Sequence, residues 1–91
     1  MKYRIGQWVK IKSKLKCKGY YKSEILPEFK QVFVKTMKPF CGRIAKINSI
    51  NKRDYGLDID IDDYSWTYGM LTKPTRKEIN AEKLKRCAEA L

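Results

Sequence analysis

The sequence predicts a mainly β protein, in which a small barrel is followed by a C-terminal α-helix. Two observations predict the barrel. Apolar residues occupy every second position in several stretches, and residues typical of turns separate those stretches. A period of two is that of a strand with one buried face. The helix is predicted because apolar residues near the C-terminus recur at helical spacing, namely Ala81, Leu84, Ala88 and Leu91. We therefore assign residues 1–74 to the barrel and residues 75–91 to a helix that packs on the barrel or on a partner.

The first strand begins at Trp8 and carries the most regular charge pattern of the chain. Its apolar residues Val9, Ile11 and Leu15 are expected to be buried. The intervening lysines are expected to share the outward face, namely Lys10, Lys12, Lys14, Lys16 and Lys18. Such a face is either a solvated surface whose charges deter edge-to-edge aggregation or a surface that binds polyanions.

Residues 19–31 are predicted to form a long loop, because they show no clean period and contain a proline. This loop holds the best cluster of basic and aromatic residues, with Tyr20 and Tyr21 between Lys18 and Lys22. Cations attract phosphates and aromatic rings stack on bases, so the combination is typical of a surface that binds a nucleic-acid chain. The alternative is that one tyrosine fills the mouth of the barrel with its ring.

A short helical turn is predicted where apolar residues recur at spacings of four and three, namely Phe33, Met37 and Phe40. Pro39 is expected to end this turn. A methionine and two aromatic residues at such a spacing are far more often part of a core than of a ligand site, so we expect them to dock onto the barrel.

The central strands of the barrel are predicted between residues 43 and 70. The strand at residues 57–62 has one apolar and one acidic face. Its apolar residues are Leu57, Ile59 and Ile61, and its acidic residues are Asp58, Asp60 and Asp62. Residues 43–50 form the preceding strand, and the turn-like residues 51–56 join the two into a hairpin. A third strand is predicted from residues that again skip by two, namely Tyr64, Trp66, Tyr68 and Met70.

The C-terminal helix is predicted from about Arg76 to Glu89. Thr75 and Glu78 have the spacing of a capping box, in which each residue satisfies a backbone N–H group of the other. The apolar stripe of this helix must be covered, and packing on its own barrel is the commoner outcome.

Charge is unevenly placed along the chain. Twenty-one Lys and Arg residues against ten Asp and Glu residues give a formal net charge of +11, which predicts attraction to polyanions. Residues 1–53 hold fifteen basic and two acidic residues, whereas residues 54–64 hold five Asp and no basic residue. The basic half and the acidic strand are therefore separate surfaces, or they face each other and form cross-strand pairs of opposite sign.

Several chemistries are disfavoured by what the sequence lacks. It has no His, which removes the commonest general base and metal ligand. Cys17, Cys41 and Cys87 are widely spaced and odd in number, which favours reduced thiols in a cytoplasmic protein over disulfides or a zinc site. No nucleophile elbow or Gly-rich phosphate loop is present. We therefore expect no enzyme activity, catalytic residue, metal or cofactor, and no membrane segment.

Several apolar and glycine positions carry a resemblance. The chain opens with Gly6-Gln-Trp-Val9-Lys-Ile11 and continues with Phe33-x-x-x-Met37, Cys41-Gly42 and Trp66-Thr67. In this pattern, over about residues 5–72, it resembles the small SH3-like barrel proteins encoded by phages and mobile elements of Gram-positive bacteria. The resemblance implies an SH3-like barrel in a host cytoplasm and little about function, because most members are uncharacterised. Gly42-x-Ile44-x-x-Ile47 also resembles the KOW motif of nucleic-acid-binding SH3-like barrels, without its flanking glycines.

The leading hypothesis is a non-enzymatic module that binds DNA or RNA mainly through backbone phosphates. Sequence specificity is then low, because lysines position a backbone without reading base edges. The predicted contacts are Lys10, Lys12, Lys14, Lys16, Lys18, Tyr20, Tyr21, Lys22 and Arg53. The sequence leaves the choice between DNA and RNA open.

The alternative hypothesis is a protein-interaction module or inhibitor that binds a host protein, such as a nucleic-acid-processing or defence factor. In that case the Asp strand imitates phosphates. The C-terminal helix or Trp66 then serves as the anchor of the interface.

Overall fold

The computed structural model describes residues 3–23, 30–51, 54–59 and 64–90. Its strands are β1 Trp8–Ile11, β2 Tyr20–Lys22, β3 Lys30–Val32, β4 Ile44–Ile50, β5 Tyr55–Leu57 and β6 Leu71–Thr72. Two short 3-10 helices span Lys35–Phe40 and Tyr68–Met70, and the α-helix α1 spans Arg76–Ala90. The coarse prediction of a mainly β fold with a C-terminal helix is confirmed.

A four-stranded antiparallel sheet, curled into a half-barrel, forms the centre of the molecule. Its strand order is β5-β4-β1-β6, so β1 is flanked on both sides. Trp8 of β1 lies opposite Lys46 of β4, and Ile11 lies opposite Leu71 of β6. Strands β2 and β3 form a separate two-stranded hairpin with Tyr20 opposite Val32.

The core lies inside the curled sheet. The largest fully buried side chains include Trp66, Tyr55, Phe33, Ile11 and Met37. Fully burying one such apolar side chain stabilises the fold by about 1.5–3 kcal/mol. The prediction that the turn at Phe33, Met37 and Phe40 docks onto the core is confirmed, although Pro39 lies inside the 3-10 helix and does not end it.

The predicted five-lysine strand is wrong. β1 ends at Ile11, and the chain turns at residues 13–14 and again at 17–18. Lys18 has a φ of +64°, in the left-handed region, so an extended strand cannot continue through it. The predicted burial of Val9, Ile11 and Leu15 is confirmed. The alternating residues beyond Ile11 therefore belong to a loop, which places the Leu15 side chain in the core.

The predicted loop at residues 19–31 is also wrong in part, because it contains β2 and β3. Residues 24–29, which would join these strands, lie outside the described part of the chain. Within β2, Tyr20 and Lys22 are exposed while Tyr21 is half-buried. A strand of three residues is too short to show a period in the sequence, which explains the error.

The central hairpin is confirmed, but its second strand lies earlier in the chain than predicted, at Tyr55–Leu57 instead of residues 57–62. β4 matches the predicted strand at residues 43–50, and β5 pairs with it across a register shift between Ile47 and Ser49. β5 ends at Leu57, where the chain turns because the Asp58 carboxylate accepts a hydrogen bond from the Lys46 backbone N–H, at 3.0 Å. Asp60, Asp62 and Asp63 lie outside the described residues.

The predicted third central strand is wrong. Trp66 makes a single antiparallel bridge with Tyr55, and the residues Tyr68–Met70 form a 3-10 helix. Next to this bridge, the Thr67 hydroxyl donates a hydrogen bond to the Tyr21 carbonyl oxygen at 3.1 Å, which ties the chain to β2. The chain then returns as β6, which pairs with β1.

The C-terminal helix is confirmed, and its predicted capping box is present. The Thr75 backbone N–H donates to the Glu78 carboxylate at 2.9 Å, and the Glu78 backbone N–H donates to the Thr75 hydroxyl at 3.1 Å. The expected packing of the apolar stripe on the barrel is wrong: Ala81, Leu84 and Ala88 are exposed, and Leu91 lies outside the described residues. Charged side chains hold the helix to the sheet instead.

Candidate nucleic-acid interface

Five exposed lysines form an unpaired basic surface among the described residues. They lie in the loop after β1 and at the end of β2, and we call them the basic loop surface: Lys12, Lys14, Lys16, Lys18 and Lys22. All five are exposed, and none is in an ion pair within the described part of the chain. Their charge is therefore available to an anionic partner.

The backbone of the basic loop surface is anchored although its side chains are exposed. The Lys12 N–H donates to the Met70 carbonyl oxygen at 3.0 Å, and the Lys18 N–H donates to the Phe33 carbonyl oxygen at 2.7 Å. The cations therefore extend from an ordered backbone, so less conformational entropy is lost when a partner binds.

The two tyrosines of β2 have different roles. Tyr20 is 70% exposed, on the same strand face as Lys22. Tyr21 packs its ring edge-on against Phe33, and its hydroxyl accepts the Lys16 backbone N–H at 2.8 Å. Tyr21 is therefore partly buried against the core and holds the basic loop, while Tyr20 is the exposed ring of β2.

One predicted contact, Lys10, does not belong to this surface. Lys10 is half-buried and forms an ion pair with Glu78 of α1. Hydrogen bonds from Lys10 and from the Thr75 backbone N–H lower the pKa of Glu78 below its usual range. Lys10 is therefore already neutralised within the chain. Arg53 lies outside the described residues.

The other charged region receives the C-terminal helix, and we call it the helix-docking surface: Trp8, Lys10, Lys46 and Asp58. Arg86 of α1 donates two hydrogen bonds to the Asp58 carboxylate, at 2.6 and 3.2 Å. The Arg86 guanidinium and the Lys46 ammonium each lie 4.8 Å from the centre of the Trp8 ring. Cations at this distance from an indole are attracted by its negative face.

Protonation states at the helix-docking surface favour the docked helix. Burial raises the pKa of Asp58, but hydrogen bonds from Arg86 and from the Lys46 backbone outweigh it, so the net pKa lies below its usual range. The hydrogen bond to Asp58 in turn raises the pKa of Arg86. The predicted pairing of the lysine face with the Asp face is wrong for the described pair, because Lys10 and Asp58 each pair with α1.

Sequence reasoning missed Tyr68 and Lys73, which line a groove together with Lys12. The signal in the sequence was Gly69, which interrupts the predicted third strand next to Tyr68. A glycine inside a strand pattern often marks a place where another backbone approaches closely. A Cβ atom on Gly69 would lie 3.0 Å from the Lys22 backbone nitrogen.

Within the described residues, no three His, Cys, Asp or Glu side chains converge as metal ligands. Cys17, Cys41 and Cys87 are free. No helix of the described part of the chain has the length and apolar character needed to cross a bilayer. No protein family, curated protein or solved structure matches the chain.

Proposed function

We propose that the protein is a non-enzymatic nucleic-acid-binding module with an SH3-like barrel, which binds DNA or RNA through backbone phosphates. The observation that carries this proposal is the basic loop surface, where five exposed lysines extend from an anchored backbone without an ion pair among the described residues. The resemblance to small SH3-like barrels of phages and mobile elements supports the fold part of the proposal and an origin in such an element.

The physical basis is release of counterions from the nucleic acid. Each lysine that neutralises a phosphate of a duplex contributes about −0.9 to the slope of log affinity against log salt, so five give about −4.5. On a single strand the same contacts give about −3.5. Because ammonium groups position a backbone without reading base edges, affinity is expected to vary little with sequence.

The test replaces Lys12, Lys14 and Lys16 together by Gln. This variant should lower the salt slope on duplex by about three and weaken binding to all sequences about equally. The matched control replaces Lys77, Lys83 and Lys85 of α1 by Gln, which removes the same charge from exposed positions outside the basic loop surface. The measurement is fluorescence anisotropy on labelled oligonucleotides over a range of salt concentrations.

Two results contradict the proposal. A wild-type protein that retains neither DNA nor RNA at about 50 mM salt is not a phosphate-binding module. Equal loss of slope in the two triple variants shows that net charge, and not the basic loop surface, drives binding.

One observation favours a second candidate function, the binding of a host protein. Leu84 is 72% exposed on the stripe of α1 that also carries Ala81 and Ala88. Trp66 cannot serve as the anchor because it is fully buried. Capture of one protein from a nuclease-treated lysate, lost in Leu84→Ser but kept in the Lys12, Lys14 and Lys16 variant, favours this function over the first.

A further inference from the structure

Tyr20 is the one exposed aromatic residue in the described part of the chain. Its side chain is 70% exposed, whereas the other described aromatic residues are buried or half-buried. The ring of Tyr21, the next residue, packs on Phe33. Among the described residues, no other ring and no cation packs on the Tyr20 ring. The faces of this ring are therefore open to a ligand.

The backbone on both sides of Tyr20 is held in place. The Gly19 carbonyl oxygen accepts a hydrogen bond from the Phe33 N–H at 2.8 Å. The Tyr21 carbonyl oxygen accepts a hydrogen bond from the Thr67 hydroxyl at 3.1 Å. All three residues of β2 also pair with β3. The ring thus extends from an ordered strand, so little backbone entropy is lost when a ligand stacks on it.

Two lysines of the basic loop surface flank Tyr20 along the chain. Lys18 precedes it by two residues, Lys22 follows it by two residues, and both are exposed. Tyr20 and Lys22 extend from the same face of β2, about 6.7 Å apart along the strand. Neither lysine is in an ion pair among the described residues. An open aromatic ring beside unpaired cations matches a ligand in which a base and a phosphate are joined, which is a nucleotide.

We infer that the Tyr20 end of the basic loop surface binds one nucleotide of a single strand, with the base on the Tyr20 ring and phosphates at Lys18 and Lys22. This inference rests on the proposed function and deepens it from nucleic acid in general to single strands. Bases of a duplex are stacked on one another and paired, so a surface ring cannot reach their faces, whereas an unpaired base can stack on it. The protein therefore binds a single strand by stacking and by charge, and a duplex by charge alone.

The test compares an intact single-stranded oligonucleotide with an abasic strand of the same length and charge, each made as DNA and as RNA, by fluorescence anisotropy. Wild-type protein should bind the intact strand roughly 5- to 100-fold more tightly, as expected for stacking of one base. Tyr20→Leu keeps an apolar side chain but removes the aromatic ring, so it should abolish this preference. Tyr20→Phe keeps the ring and should retain most of the preference. Neither change should alter the affinity for a duplex.

The matched control is Lys22→Gln, which changes the other exposed side chain on the same face of β2. It should weaken binding to the intact and abasic strands by about the same factor, because both strands carry the same phosphates. The control therefore separates loss of charge from loss of the ring. Both substituted positions are exposed, so the variants should fold like the wild type. Circular dichroism and thermal unfolding check this.

Distinct results overturn the inference and the proposed function. Equal binding of intact and abasic strands by the wild type removes the stacking site while phosphate binding stands. A preference that persists in Tyr20→Leu also overturns the inference, because the base then lies elsewhere. A preference that is lost in Tyr20→Phe overturns it as well, because the hydroxyl and not the ring face then makes the contact. Binding of neither strand at about 50 mM salt overturns the proposed function, and the stacking inference with it.

Discussion

The basic loop surface and the helix-docking surface are both rich in charge, but among the described residues only the helix-docking surface contains ion pairs. Lys10 and Arg86 find carboxylates within the chain, on Glu78 and Asp58. The five lysines of the basic loop surface find none among the described residues. Paired charges hold one part of the molecule to another, whereas unpaired charges of one sign attract a partner of the opposite sign.

The comparison also separates two kinds of lysine that look identical in the sequence. Lys10 and Lys12 are neighbours in one alternating run, yet Lys10 faces α1 and Lys12 lies beyond the end of β1. Lys10 is unavailable because it pairs with Glu78, which lies 68 residues further along the chain. Lys12 is available because it lies beyond the end of β1. The regional net charge alone cannot make this distinction.

The largest expected effect is the loss of stability when the support of the basic loop backbone is removed. Tyr21→Ala removes a half-buried ring that packs on Phe33 and a hydroxyl that accepts the Lys16 N–H. We expect a loss of about 2 kcal/mol in the free energy of unfolding, below the range for fully buried aromatic residues. Nucleic-acid affinity should fall as well, because the lysines lose their fixed backbone. Urea denaturation and anisotropy titrations measure the two effects.

Tyr21→Phe and Tyr20→Ala complete this test. Tyr21→Phe keeps the ring and leaves only the Lys16 N–H without its acceptor, so it should cost about 1 kcal/mol. Tyr20→Ala changes an exposed ring and should leave stability almost unchanged. Equal stability of Tyr21→Ala and Tyr20→Ala would contradict the supporting role of Tyr21.

The sequence predicts the core better than it predicts the site. Alternation and helical spacing identify Val9, Ile11 and Met37 as buried, because burial follows local periodicity that a short strand or turn must obey. The capping box predicts the start of α1 because it is a purely local contact. These features need no information from distant parts of the chain.

The errors concern features set by distant contacts. β1 ends at Ile11 because the chain turns at residues 13–14, and the loop beyond is held by hydrogen bonds to Tyr21 and Phe33. The orientation of α1 was mispredicted because the ion pairs of Glu78 and Arg86 place a charged face on the sheet and leave Leu84 exposed. No local pattern of the sequence contains those pairings.

An intermediate effect is expected at the helix-docking surface. Arg86→Gln removes a bidentate ion pair with Asp58 and the cation–π contact of the guanidinium with the Trp8 ring. Because the pair is partly exposed, we expect a loss of about 1 kcal/mol in the free energy of unfolding. The salt slope of nucleic-acid binding should stay unchanged, since the Arg86 charge is already neutralised.

The matched control for this change is Lys85→Gln, which removes one charge from an exposed position on the same helix. It should leave stability within about 0.5 kcal/mol of the wild type. If Arg86→Gln lowers the salt slope as much as loss of one basic-loop lysine, the two surfaces are not separate and the comparison fails.

The smallest expected effect is on the pH dependence of stability. The Asp58 carboxyl titrates near pH 3.9 in an unfolded chain, and its pKa is lower in the folded protein. The folded state thus favours the charged form, so this contribution is fully present above about pH 3.9 and is lost as the pH falls through the folded pKa. Glu78, whose pKa is also lowered, acts in the same direction.

Asp58→Asn should therefore be slightly less stable than the wild type at pH 7 and should lose less stability on acidification from pH 5 to pH 2. The control Glu89→Gln makes the same change from carboxylate to amide at an exposed position, and it should keep the wild-type slope. Urea denaturation at several pH values measures the difference. Identical acid slopes for Asp58→Asn and wild type would show that the Arg86–Asp58 pair does not hold the helix in solution. The helix-docking surface would then carry unpaired charge like the basic loop surface, and Arg86 would have to be counted among the cations available to a polyanion.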